Sequence, residues 1–208
     1  MKKLVLSLFM LAGIGTSSYA QGIIGPKVGM SFATATDTKV PANTSTQDYK
    51  TIITPQLGIV FNARLGDYVS LRPELLYSQR GFKGAGRFMG SDYDLSRTSG
   101  YLDVPLFLSF KPLEGISVLF GPQYSFLLHQ HDAFSNSSLT IDQEQAFKND
   151  NIKKHILCLA GGIDFNLANI VLGLRTGWDL THNKDDGTGE IPRYKNIWLQ
   201  GTVGFRAY

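Results

Sequence analysis

One cysteine, Cys158, stands in 208 residues. No intrachain disulfide can form, and a structural zinc site built from several cysteines is excluded. Long apolar runs are missing too: past the first twenty residues nothing approaches the roughly 18 that a transmembrane helix requires. If the chain enters a membrane, it must do so as a closed barrel, because only there can every backbone group be paired without a helix. Excess charge is also scarce. Of the formal net charge of +3, Lys2 and Lys3 supply two, leaving +1 on the remainder. A nearly neutral chain offers no basic footprint for nucleic acid, and no cofactor motif is present to suggest one.

What is present begins with an export leader. Lys2 and Lys3 give a charged start, residues 4–14 are almost wholly apolar, and Ser18 and Ala20 precede an expected cut before Gln21. Residues 1–20 therefore read as a signal peptide and 21–208 as one domain. No cysteine follows the expected cut to carry a lipoprotein anchor.

The domain alternates apolar and polar residues in eight stretches. The first, residues 23–33, sets Ile24, Pro26, Val28, Met30 and Phe32 against Gly25, Lys27, Gly29 and Ser31. The second opposes Leu57, Ile59 and Phe61 to Gln56, Asn62 and Arg64. The third opposes Val69, Leu71, Leu75 and Tyr77 to Ser70, Arg72, Glu74, Ser78 and Arg80. The fourth opposes Leu102, Val104, Leu106, Leu108 and Phe110 to Tyr101, Asp103, Phe107 and Ser109. In the fifth, Val118, Phe120, Tyr124 and Phe126 face away from Ser117, Gly121, Gln123 and Ser125. The sixth separates Leu157, Leu159, Ile163 and Phe165 from Cys158, Ala160, Gly162 and Asp164. The seventh separates Leu172, Leu174 and Trp178 from Gly173, Arg175 and Asp179. The eighth separates Ile197, Leu199, Val203 and Phe205 from Asn196, Gln200, Thr202 and Arg206. Pro26, Pro73, Pro105 and Pro122 fall within these runs and call for bulges or strand ends.

The connections run long, short, long, short, long, short, long. The long ones are residues 34–49, 81–100, 129–153 and 181–193. This rhythm predicts an all-β fold: an eight-stranded antiparallel up-and-down transmembrane β-barrel with short periplasmic turns and long extracellular loops.

Which face points where follows from the charges. Lys27, Arg64, Arg72, Arg80, Arg175 and Arg206 share the polar face with Glu74, Asp103, Asp164 and Asp179. Arginine, the residue of forked bonds to carboxylates in confined places, prevails over lysine. The expectation is a charge-paired network filling the lumen, since eight strands enclose a space that side chains just fill. Phe32, Tyr77, Phe110, Tyr124, Phe126, Trp178 and Phe205 lie toward strand ends on the apolar face, as interfacial belts would. The alternative is a soluble, lipocalin-like periplasmic barrel with the apolar face turned inward around an apolar ligand.

Several segments together resemble the PorT-like outer-membrane β-barrel family of Bacteroidetes. They are Gly25-Pro26-Lys27-Val28-Gly29, Leu71-Arg72-Pro73-Glu74-Leu75-Leu76-Tyr77-Ser78-Gln79-Arg80-Gly81, Tyr101-Leu102-Asp103-Val104-Pro105-Leu106 and Gly121-Pro122-Gln123-Tyr124-Ser125-Phe126-Leu127-Leu128. The resemblance implies a small porin-family barrel in the outer membrane of a Gram-negative bacterium. The named member is associated with protein secretion to the cell surface, but no residue here marks that role.

Chemistry is sparse. His129 and His131 lie two apart and share a face, yet no third metal ligand can be placed, so no metal is expected. His182 near Asp179 and Asp185 offers half of a hydrolytic arrangement, but no serine occupies a nucleophile turn. Asp185, Asp186, Gly187, Thr188, Gly189 and Glu190 lack the alternating spacing of a calcium loop. Lys83, Arg87 and Arg97 form a cationic group that suits lipopolysaccharide or simply a wet loop. The expected protein is a non-enzymatic monomer with no catalytic residue or cofactor. Its partners are outer-membrane lipid, lipopolysaccharide and the barrel-assembly machinery; a rim hydrolase is the enzymatic alternative.

Overall fold

The computed structural model describes residues 23–39, 48–88, 91–136, 139–144, 153–182 and 193–205. The leader, Arg206 and the acidic 185–190 segment lie outside them. Among the described residues no helix is long and apolar enough to cross a membrane; the ordered elements are strands. They are β1 (Ile23–Lys39), β2 (Asp48–Arg64), β3 (Val69–Phe88), β4 (Ser91–Leu113), β5 (Ile116–Asn136), β6 (Leu139–Glu144), β7 (His155–Leu167), β8 (Ile170–Asp179) and β9 (Arg193–Phe205). Every pairing is antiparallel, in the order β4-β3-β2-β1-β9-β8-β7-β5, and β4–β5 pairing closes the ring. The eight-stranded barrel expected from alternation is therefore the fold. Closure leaves no sheet edge within the wall, as hydrocarbon surroundings require.

A step-by-step walk across paired residues runs from Asn166 through Val171, Gly204, Lys27, Gly58, Leu76, Asp103 and Ser125. It returns to β7 at Ile156, ten residues from its start. That stagger tilts the strands by roughly 35–45° and sets a narrow bore. The short turns match their sequences: Gly115 at the β4–β5 tip has φ 89°, which favours glycine, and Ala168 at the β7–β8 tip takes φ 44°.

Three departures from the expected strands occur, and the first two share one cause. β3 and β4 pair continuously through residues 81–100, expected to be a loop, out to Phe88 opposite Ser91. The segment expected to be the longest loop contains β6, which pairs with β5 from His131 opposite Glu144 to Asn136 opposite Leu139. Beyond the lipid belt backbone pairing needs no apolar alternation, so these extensions leave no periodic mark. The third departure is a bulge in β5, where Gly100 faces His129 but Tyr101 faces Leu127. The extra residue shifts the alternation, so that Gln130 is buried and His131 exposed.

Pro26, Pro73, Pro105 and Pro122, expected to call for bulges or strand ends, instead keep regular register opposite Ile59, Leu106, Gln123 and Leu159; the irregularity beside a proline is at Pro55. The β2–β3 register slips between Thr51 and Gln56, around Pro55. The Thr54 hydroxyl donates to the Gln79 carbonyl at 2.5 Å, supplying a donor beside a residue that has no N–H.

Candidate functional site

The apolar face points outward. Val28, Met30, Leu57, Leu108, Phe120, Leu174 and Leu199 are all exposed, as are aromatics near both ends of the wall, Phe110 and Phe205 at one and Phe32 and Tyr124 at the other. The two tryptophans decide the matter: Trp178 is 40% exposed on the outer face and Trp198 2% exposed inside. Tyr77 and Phe126 are half-buried on the outside, where the His129 ring stacks on Tyr77 and the His155 ring lies against Phe126. A soluble carrier with a greasy cavity has the reverse arrangement and is ruled out.

The interior is built from the residues opposite. Near the short turns, Glu74 on β3 accepts from Lys27 Nζ on β1 at 3.0 Å and from Arg175 Nη1 on β8 at 2.6 Å. Arg72 Nε lies 3.5 Å from the second Glu74 oxygen. Asp164 on β7 accepts from Arg72 Nη1 at 2.5 Å and from Arg175 Nη2 at 3.3 Å. Five side chains from four strands are thus tied across the bore, three cations against two carboxylates. Small residues make room: a Cβ at Gly173 would strike Asp164 and Thr202, and one at Gly162 would strike Arg175.

Further from the short turns lies a second cluster with the opposite imbalance. Arg80 Nη2 donates to Asp103 at 2.5 Å and to Ser125 Oγ at 2.8 Å, and Nη1 lies 3.4 Å from Asp179. Its guanidinium carbon sits 4.3 Å from the centroid of Tyr101 and 4.3 Å from that of Trp198. Ser78 completes Asp103 at 2.5 Å, and Asn196 donates to Asp179 from its backbone at 2.9 Å and its amide at 2.7 Å. Cys158, fully buried, directs its thiol at Asp179 from 3.2 Å. One cation here meets two carboxylates, with bulky rings filling the remaining section of the bore.

Of the ten charged residues expected inside, eight are buried in these clusters. Arg64 is not: β2 ends at it, and its side chain reaches solvent at the mouth near the short turns. Arg206 lies beyond the described residues. Arg97, read from sequence as part of a loop group, is instead buried, its guanidinium 5.6 Å from the Tyr194 ring. Lys83 is exposed, and no side-chain placement is described for Arg87. His129 covers Gly100, His131 is exposed and His182 half-buried; no group of three metal-ligating side chains occurs among the described residues.

Sequence reasoning missed Trp198, Tyr194, Phe82, Leu119 and Ile156, all inward. Their positions, each two from a polar inward neighbour such as Asn196 or Ser117, were the available signal.

The family model for an outer membrane protein beta-barrel domain matches residues 19–185. The chain belongs to this outer-membrane β-barrel family. It is an integral protein of the outer membrane, and the outward apolar wall is what meets the lipid. No curated protein matches it. Among solved structures it is similar to Ail, the attachment invasion locus protein of Yersinia pestis, solved with the heparin analogue sucrose octasulfate. The identity is 14%, covering 88% of this chain and 99% of that one, with a TM-score of 0.45. Neisserial surface protein A is 12% identical over 88% and 97% of the two chains, TM-score 0.48. OprG of Pseudomonas aeruginosa is 12% identical over 92% and 98%, TM-score 0.35. Likeness at this level carries nothing about task.

Proposed function

We propose that this barrel is a non-enzymatic, non-conducting monomer whose work is done by contacts at the end bearing the long connections. The observation that carries this reading is the section of the bore filled by Arg80, Tyr101 and Trp198, all of them almost wholly buried. A barrel filled at that level has its activity left to its surfaces. The expected orientation puts the short turns in the periplasm and the long connections outside the cell. Planar-bilayer recording tests the reading: no steady conductance is expected, and a reproducible open channel overturns it.

A charge asymmetry supports contact with lipopolysaccharide. Lys50 and Lys83 are directly paired across β2 and β3, both exposed, toward the long-connection end. Like charges directly opposite one another are unfavourable on a sheet unless an anion lies between them. Among described side chains the exposed carboxylates, Asp67 and Glu114, are both at the short turns. Lipid phosphates in the outer leaflet would satisfy the lysine pair. Within the family, the four motifs quoted above favour the PorT-like branch, and they contribute Lys27, Arg72, Glu74, Arg80 and Asp103 to the lumen. Secretion or adhesion is the task to test, by deleting the gene and measuring surface proteins and host-cell attachment.

A further inference from the structure

The bore opens, at the short-turn end, into a cup of about 280 Å³ lined by Lys27, Arg72, Asp164 and Arg175 of the first charge cluster. We infer that this cup is a binding site for a small oxyanion, held through a phosphate or carboxylate group by the arginines and lysines that line it.

Three features of the cup point the same way. The floor carries Lys27, Arg72, Arg175 and Asp164, and the two carboxylates of the cluster, Asp164 and the non-lining Glu74, are already shared among the three cations. One positive charge is therefore left without a counter-charge in the cluster. The second cluster has the complementary excess, but it lies deeper in the bore, behind the first. An uncompensated net charge in a buried cluster is costly, and an anion entering the cup offsets it at close range in poorly screened surroundings.

The wall is the second feature. Ser70, Ser109, Ser117 and Thr202 face the cup, and Asn166 donates its amide to the Ser117 oxygen at 3.0 Å, leaving the Ser117 proton for another acceptor. Hydroxyls flanking forked guanidiniums are the donor set that phosphate and carboxylate oxygens use. The rim is the third. Arg64 and Lys111 stand there with Asp67 as the acidic neighbour, so the entrance also favours anions. The volume lies just below the usual range for small-molecule pockets, about 300–1,000 Å³, and limits the ligand to a few heavy atoms beyond the oxyanion.

The test is calorimetric titration of the folded barrel, in nanodiscs of uncharged lipid at low salt, with inorganic phosphate, with succinate and with choline. Saturable binding of phosphate, succinate or both is expected, and none of choline; which anion binds identifies the group recognised. Removing the rim charges in an Arg64→Gln, Lys111→Gln double variant should weaken binding about tenfold or more, as loss of a charge-assisted hydrogen bond does. Arg72→Gln, which removes the excess floor charge, should abolish it. Both rim residues are exposed, so the double variant decides the matter even if Arg72→Gln fails to fold. Wild-type protein that binds neither anion, binds choline equally, or binds with affinity unchanged in the rim variant would overturn the inference.

Discussion

The guanidinium of Arg80 stacks on the indole of Trp198, 4.3 Å from its ring centroid, and the ring that holds it grows from the strand segment facing Gly177. A cation held between two rings and two carboxylates couples four strands through one side chain. Replacing Arg80 with Met leaves Asp103 and Asp179 buried without their cation. Urea unfolding in lipid vesicles should show a loss of about 3–5 kcal/mol, the usual cost of breaking a buried pair from one side. Adding Asp103→Asn and Asp179→Asn to Arg80→Met should recover much of it.

Gly177 is the space that Trp198 occupies: a Cβ there would lie 2.5 Å from the indole Cζ2. Gly177→Ala should displace the ring and destabilise the barrel by about 1–3 kcal/mol, the range for overpacking a filled core. The same variant should red-shift the fluorescence of Trp198 in a Trp178→Phe background. An unchanged spectrum would show that the ring is not where the glycine makes room for it.

The facing of the wall is open to a paired substitution on β8. Leu174, midway between the aromatic-bearing ends, is exposed outward, whereas the adjacent Gly173 points inward. Leu174→Arg should cost roughly 2–4 kcal/mol of folding stability in lipid, the penalty for arginine near the bilayer midplane. Equal stability of the variant and the parent would contradict the assigned face.

Much of this was legible because alternation with period two is a direct imprint of a wall with lipid on one side. Lys27, Arg72, Glu74, Arg80, Asp103, Asp164, Arg175 and Asp179 each sit two residues from another inward position, so their facing follows from parity alone. Their partners do not. Glu74 meets Arg175 across 101 residues of sequence, and only the barrel's stagger determines that pairing. Trp198 was hidden because an inward aromatic contradicts the simple rule of polar inside and apolar outside. Arg97 was hidden because its strand runs on past the membrane through a glycine- and charge-rich stretch that reads as loop. The flip at Leu128 in β5 left no sequence signal, since a bulge of one residue alters register without altering composition.

Cys158 supplies a probe of the closed bore. Its side chain is fully buried between Arg80 and Asp179. An aqueous maleimide should fail to modify the folded barrel in vesicles and should react once the protein is unfolded in urea. Rapid labelling of the folded form would reveal a water-accessible channel past the aromatic plug.

The central claim, that apolar residues meet lipid while the charged clusters fill the interior, is tested most directly by quenching with brominated lipid. Two single-tryptophan proteins suffice, Trp198→Phe retaining Trp178 and Trp178→Phe retaining Trp198. The account predicts strong quenching of Trp178 by lipids brominated along the acyl chain, and emission from Trp198 that the same lipids leave nearly unchanged. Quenching of Trp198 with Trp178 unaffected would contradict it.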